Sequence, residues 1–286
     1  MSKVWFITGA GSGIGAGIAS AALQAGDRVV ATGRNLDKVR HALYDVASDN
    51  VAFIQLDVTD EAQAKAAIAE AVKKFGRLDV LVNNAGYSLL GNFEELATAE
   101  IERQLATNFY GVMFAMRAAL PEMRKQRAGR IINISSLAGA VGFKHCAAYA
   151  ASKFALEGLT LSVAAEVEQF GIKLTIVEPG FFRTDLLDSR NAKWSQSVIA
   201  DYAAEGSAEE MWSSYHGTQS GDPAKLGEAI VNIAGMENPP KRFLAGSDAL
   251  AVAQSDLEAR LQELNAHAEL SRSTDGSFEK IYGENL

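Results

Sequence analysis

Short, nearly continuous runs of β-branched and other apolar residues recur through the first 180 positions, at 4–8, 28–32, 51–56, 79–82, 130–135 and 173–177. A strand covered on both faces reads this way, because neither side of it meets water. Between the runs, residues 14–25, 36–46, 61–75, 99–124 and 147–170 carry apolar positions at helical spacing. Strands and helices in strict alternation, joined by right-handed crossovers, predict an α/β fold built on a doubly wound parallel sheet.

After Gly180 the pattern loosens. Residues 185–221 hold Trp194, Tyr202, Met211, Trp212, Tyr215 and His216 among polar neighbours, with no clear strand. A long mixed segment inside a compact fold reads either as a lid over a binding site or as an extra helix pair against the body. Pro223 then opens a helix running to about Gly235, a strand follows near 242–245, and residues 248–264 read as a charged amphipathic helix. No linker or internal repeat interrupts the chain. Residues 1–247, lid included, are expected to form one domain, with the helix and polar tail of 248–286 packed on it.

With 286 residues, 48% of them hydrophobic, the chain can bury one large core. Its net charge of −8 argues against a nucleic-acid partner or an anionic membrane surface. The single cysteine, Cys146, excludes an intramolecular disulfide and fits a reducing compartment. No apolar run approaches a membrane span, and the first residues lead directly into a strand without a secretory signal, so a cytoplasmic location is expected. His41, His145, His216 and His267 are scattered without ligand spacing, so no metal is expected. His145 and Cys146 are adjacent, and adjacent side chains do not face each other, which disfavours a Cys/His hydrolase.

Candidate chemistry begins between the first strand and first helix, where Thr8 leads into Gly9, Ala10, Gly11, Ser12, Gly13, Ile14 and Gly15. Such a turn lets the backbone approach a diphosphate, whose charge then meets the helix N-terminus. The second strand ends Ala31-Thr32-Gly33-Arg34, without the carboxylate that would accept from an adenosine ribose. Arg34 can meet a 2′-phosphate instead, giving NADP(H) preference over NAD(H), or it can be a solvated cap on the strand. Tyr149 and Lys153 stand four apart on a predicted helix, which puts an ammonium beside a phenol. A nearby positive charge favours phenolate, so the pair could exchange a proton near neutral pH, although the lysine stem can equally lie across the ring on a plain helix surface.

Taken together the motifs resemble the classical short-chain dehydrogenase/reductase family over about the first 190 residues and the last helix and strand. They are TGxxxGxG at 8–15, Asn83-Asn84-Ala85-Gly86 after a strand, Asn108, Ser136 closing IINISS, Tyr149 with Lys153, and Pro179-Gly180 with Thr184. The resemblance implies a Rossmann fold and hydride transfer to or from a nicotinamide. Ser136 would bind the substrate oxygen, and Tyr149 would be the general acid or base. Lys153 would lower the tyrosine's pKa and hold the nicotinamide ribose. Asn108 would fix a water that extends the proton path, or else merely mend a helix irregularity.

The same resemblance places Asp57 and Val58, Asn83, Ala85 and Gly86 on the adenosine side, and Pro179, Gly180, Phe182 and Thr184 around the carboxamide. Tyr87, Leu137, Phe143 and Phe181 would line a mostly apolar substrate pocket, suited to a hydrophobic ketone, aldehyde or secondary alcohol. An NADP-loaded sensor without turnover and an NAD-dependent alcohol dehydrogenase are the competing readings. A homodimer or homotetramer is expected, through the helices at 99–124 and 147–170.

Overall fold

The computed structural model describes residues 2–188, 191–196, 199–203 and 206–277. Elements in chain order are β1 (Val4–Ile7), α1 (Gly13–Gln24), β2 (Arg28–Gly33), α2 (Leu36–Ala42), β3 (Val51–Gln55), α3 (Glu61–Phe75), β4 (Val80–Asn83) and β5 (Leu89–Leu90). They continue with α4 (Thr98–Leu105), α5 (Gly111–Gln126), β6 (Gly129–Ile134), α6 (Ala147–Val167), β7 (Ile172–Pro179) and β8 (Lys193–Trp194). The described residues close with α7 (Ala200–Ala203), α8 (Ala208–Ser213), α9 (Pro223–Gly235), β9 (Arg242–Ala245), α10 (Ser247–Ala266) and α11 (Ala268–Arg272).

Seven strands form one parallel sheet in the order β3-β2-β1-β4-β6-β7-β9. The order reverses between β1 and β4, and a crevice for a ligand opens at such a switch point, outside the carboxyl ends of the strands. Every residue of β1 is fully buried, because its alternate side chains feed two different cores. Trp5 and Ile7 pack with α1 and α9 on one face. Phe6 packs with α3, α5 and α6 on the other. Continuous apolar strands are the consequence, as the sequence pattern predicts.

Two local features differ from the sequence pattern. The predicted helix over 99–124 is interrupted by a π-helical turn, Ala106–Tyr110, between α4 and α5. Apolar spacing does not change enough over five residues to reveal one extra residue per turn. Residues 185–221 do contain a strand: Lys193–Trp194 pairs in parallel with Leu89–Leu90, a two-residue ladder too short to carry alternation. The same segment holds α7 and α8, where Ser207 caps α8 through a reciprocal capping box with Glu210. The predicted tail beyond 277 lies outside the described residues.

Candidate active site

The glycine turn ends β1 and starts α1 at the reversal in strand order. Ser12 occupies the N-cap position of α1 in extended backbone, yet makes no side-chain cap, and the first turn holds no acidic residue. The leading N–H groups of a twelve-residue helix therefore face outward unneutralised, which suits an anion. Gly13 has φ of +54°, which favours glycine, and a methyl group there would lie a tight 3.0 Å from Thr184 Cγ2. A Cβ on Gly15 would fall 2.3 Å from the Gly9 carbonyl oxygen. Both constraints fit the close backbone approach that a dinucleotide diphosphate requires.

Asn84 holds this turn in place. Its Nδ2 donates to the carbonyl oxygens of Thr8 and Gly9, each at 3.0 Å, while Thr8 Oγ1 accepts from the backbone N–H of Asn84 and Ala85. Sequence reading took Asn84 only as part of a motif, yet it is the residue that ties β4 to the turn. Beside it, Asn83 donates to Asn133 Oδ1 at 2.8 Å, and its own Oδ1 is buried without a partner among the described residues. Thr8, Val58, Asn83 and Ala85 line one shallow recess. Asp57 uses one carboxylate oxygen to hold the Thr59 N–H and hydroxyl.

At the end of β2, Arg34 is exposed, and among the described residues no acidic side chain pairs with it. Lys38, one helical turn further on, brings its stem beside the glycine turn: a methyl on Gly11 would sit 3.4 Å from Lys38 Cγ. Arg34 and Lys38 are thus two cations at the β2–α2 connection. Sequence reading passed over Lys38, because Arg34 precedes the Asn35 N-cap of α2 and helical spacing does not link the two.

Ser136 follows β6 and caps the short turn Leu137–Gly139, its Oγ accepting from Ala138 N–H at 3.1 Å. Ser135 points the other way and donates to Glu157 at 2.8 Å. Tyr149 and Lys153, on α6, are both buried. Lys153 Nζ donates to the Ile134 carbonyl at 2.8 Å and lies 5.7 Å from the centroid of the Tyr149 ring. The lysine is thereby fixed between the strand that leads into Ser136 and the tyrosine.

Asn108 sits in the π-helical turn and is fully engaged. Its Oδ1 accepts from Tyr87 N–H at 3.2 Å, and its Nδ2 donates to the Tyr87 carbonyl and to Ser152 Oγ, each at 3.0 Å. Ser152 in turn donates to the Tyr149 carbonyl. A methyl on Gly86 would lie 3.1 Å from Asn108 Oδ1. Asn108 thus clamps the segment after β4 to α6.

Beyond Pro179, Asp248 at the start of α10 accepts from Phe181 N–H at 2.7 Å and lies directly beneath Gly180. Sequence reading missed Asp248, since nothing in a charged helix start distinguishes this contact. Phe182 packs against the core under α1 and α9. Of the four residues expected around the substrate, Phe143 and Phe181 join Tyr149 in one cluster with Leu90, Leu187, Trp194 and Trp212. Tyr87 belongs to a separate cluster, and Leu137 turns toward Ala249 and Ala253 of α10. Phe181 stacks on Tyr215 with ring centroids 4.7 Å apart, so the segment after β7 and the residues following α8 share an aromatic wall.

The model of the short chain dehydrogenase family matches residues 3–195. The chain belongs to the short-chain dehydrogenase family. This short-chain dehydrogenase is 37% identical over 254 residues to "Oxidoreductase BOA17" of Botryotinia fuckeliana, covering 88% of its own chain and 92% of the relative. It superposes with a TM-score of 0.88 on a short-chain dehydrogenase from Streptomyces avermitilis, at 38% identity, over 96% of this chain and all of that one. ElxO solved with NADP bound gives a TM-score of 0.73 at 34% identity, over 88% of this chain and all of that one. The fold and an oxidoreductase assignment follow.

Electrostatics in this short-chain dehydrogenase differ from the simplest reading of the Tyr/Lys pair. Burial pushes the Tyr149 phenol up, a hydrogen bond with the Ser136 hydroxyl pulls it down, and Cys146 adds a smaller upward push. Burial lowers Lys153 to about 8, while the charge of Glu157 raises it. The expectation of an acidic phenol counted only the charge; the packing that brings the two groups together also strips both of water. Cys146 is pushed up by burial to about 12, as befits an inert apolar filler. Among the described residues no helix is long and apolar enough to cross a membrane.

Proposed function

We propose that this chain transfers hydride between NADP(H) and a hydrophobic ketone, aldehyde or secondary alcohol. The observation that carries the reading is the convergence of Ser136, Tyr149 and Lys153, in a fold whose glycine turn opens a helix with an uncapped N-terminus. Ser136 binds the substrate oxygen and Tyr149 supplies the proton to it during reduction, or removes it during oxidation. Lys153 holds the ribose and stabilises the phenolate that forms, and Asn108 keeps α6 in register with the segment after β4. A nicotinamide bound there supplies or accepts the hydride. Arg34 and Lys38 support NADP over NAD, in keeping with the NADP bound to ElxO.

An apolar substrate is supported by the cluster around Tyr149, where Phe143, Phe181, Trp194 and Trp212 offer an aromatic wall. The test is a panel of hydrophobic ketones and aldehydes assayed with NADPH by loss of nicotinamide absorbance, run in parallel with the Tyr149→Phe variant. Turnover by the wild type and its loss in the variant, with NADPH still bound, is expected. Substantial activity in Tyr149→Phe would remove that residue as proton donor.

A further inference from the structure

The end of β6 is held by two successive turns of α6. Lys153 Nζ donates to the Ile134 carbonyl at 2.8 Å, and Glu157, four residues further along the same helix face, accepts from the Ser135 hydroxyl at 2.8 Å. The next residue is Ser136. Glu157 and Ser135 are buried, at 2 and 3% exposure, and the reaction as proposed above uses neither of them.

The turn that Ser136 opens rests on this hydrogen bond. A methyl group on Gly139 would fall 2.4 Å from both Glu157 Oε1 and Ser135 Oγ, so the backbone of the turn packs directly on the bonded pair. Within the turn, the Gly139 N–H donates to the Ser136 carbonyl at 2.8 Å and the Ala138 N–H donates to the Ser136 hydroxyl. The other oxygen of Glu157 contacts Arg242 of β9, which also bonds Glu178 of β7. Among the described residues, Glu178 and Arg242 are the charged groups acting on Glu157, Lys153 on α6 feels its charge, and the strand end adds only the Ser135 hydroxyl. Apolar residues of similar volume can often replace a buried ionic cluster without loss of stability, so stability alone gives little reason for three such groups here.

We propose that Glu157 is a positioning residue for the reaction, which through Ser135 fixes the turn that presents Ser136 and sets a negative charge one helical turn from Lys153. The inference rests on the reading of Ser136 and Lys153 as parts of the reacting site. Burial draws Lys153 down to about 8, and the Glu157 charge is the push against it. Glu157 itself titrates at about 7, so as pH rises its charge is in place before the lysine gives up its proton. Without that charge Lys153 becomes neutral at lower pH, and Tyr149 loses the neighbouring ammonium sooner.

Three variants of the full chain test it. Glu157→Gln keeps an oxygen that can accept from Ser135 and removes the charge, Glu157→Ala removes both, and Glu166→Gln, exposed on the same helix, is the control. Hydrogen exchange over residues 135–141, read by mass spectrometry, reports on the turn without any turnover. Exchange there should be faster in Glu157→Ala by about tenfold or more, the scale of one lost bond to a charged group, and should stay at the wild-type rate in the other two. Ser135→Ala, which removes only the donor, should speed it likewise and serves if Glu157→Ala does not fold. In carbonyl reduction with NADPH, Glu157→Ala should lower kcat by about ten- to a hundredfold, as a misplacement of about 1 Å can. Glu157→Gln should recover most of that loss below about pH 7, with the alkaline limb of its kcat profile moved to lower pH. A role in stability alone would leave that limb where it is. Wild-type exchange in Glu157→Ala and Ser135→Ala would overturn the proposal, as would a Glu157→Gln profile that superposes on the wild type. If the wild type reduces no compound of the panel, the reaction reading falls, and the exchange result still decides whether Glu157 holds the turn.

Discussion

Glu157 and Glu178 are both buried, and Arg242 is bonded to each of them, at 3.0 Å from Glu178 and in direct contact with Glu157. Two carboxylates share one guanidinium, and burial followed by the Glu178 charge raises Glu157 to about 7, against the pull of Ser135 and Arg242. Because the folded value lies above the ordinary 4.5, the stabilising form is the protonated one. Its contribution is complete below the ordinary carboxylate range and is lost as pH rises through about 7. Glu157→Gln mimics that protonated form at every pH. The wild type should therefore lose thermal stability relative to Glu157→Gln between about pH 4.5 and 7, at about 2–4 °C for each kcal/mol. Parallel melting curves across that range would disprove a proton held by the pair.

How far such features could be read beforehand depends on their range along the chain. The strands of the sheet are legible because burial on both faces leaves an unbroken apolar run, and the glycine turn because its backbone admits no side chain at Gly15. The pair formed by Glu157 and Glu178 is not legible, since it depends on β7 and β9 lying side by side with Arg242 between them. Asp248 is hidden for the same reason, its partner Phe181 being 67 residues away. Leu137 adjoins Ser136, yet the turn that Ser136 caps swings it toward α10. Residue type and spacing carry local chemistry; side-chain direction after a turn needs the fold.

Cofactor choice should respond to Arg34 and Lys38 together. Both sit at the β2–α2 connection, Lys38 with its stem beside Gly11, and a charge-assisted bond to phosphate contributes about 1.5–3 kcal/mol. Arg34→Ser with Lys38→Ser should weaken NADPH binding by one to two orders of magnitude, a scale set by 1.4 kcal/mol for each factor of about ten, while NADH binding stays within a few-fold. Isothermal titration of both cofactors measures it. Equal losses for the two would mean that these residues act on the shared part of the dinucleotide or on the fold.

Asp248 fixes the backbone on which the carboxamide side of the cofactor would rest. Removing its carboxylate leaves the Phe181 N–H without its acceptor and opens space under Gly180. A lost bond to a charged group costs about 1.5–3 kcal/mol. Asp248→Ala should weaken NADPH binding about tenfold and lower the melting temperature, whereas Asp248→Asn, which keeps an acceptor oxygen, should lose less of both. If the two variants bind NADPH as tightly as the wild type, the segment after Pro179 is positioned by something other than this contact.

Trp212 provides the sharpest test of the aromatic wall. Its side chain is packed with Tyr149 and Phe143 and makes edge contact with the Phe143 ring at 6.2 Å, yet its Nε1–H is buried without an acceptor among the described residues. A buried donor left unpaired costs about 1–3 kcal/mol, and that cost offsets part of what the indole gains by packing. Trp212→Phe removes the donor and retains a ring, so stability should change little or rise slightly, against the loss of several kcal/mol usual for shrinking a buried aromatic to alanine. Trp212→Ala should instead lower the melting temperature and raise KM for bulky hydrophobic carbonyl compounds more than it lowers kcat, because the wall is lost while Ser136, Tyr149 and Lys153 stay in place. Chemical denaturation of both variants, set beside their kinetics on the most active compound of the panel, decides it. A Trp212→Phe variant as unstable as Trp212→Ala would show that the indole nitrogen is satisfied in solution.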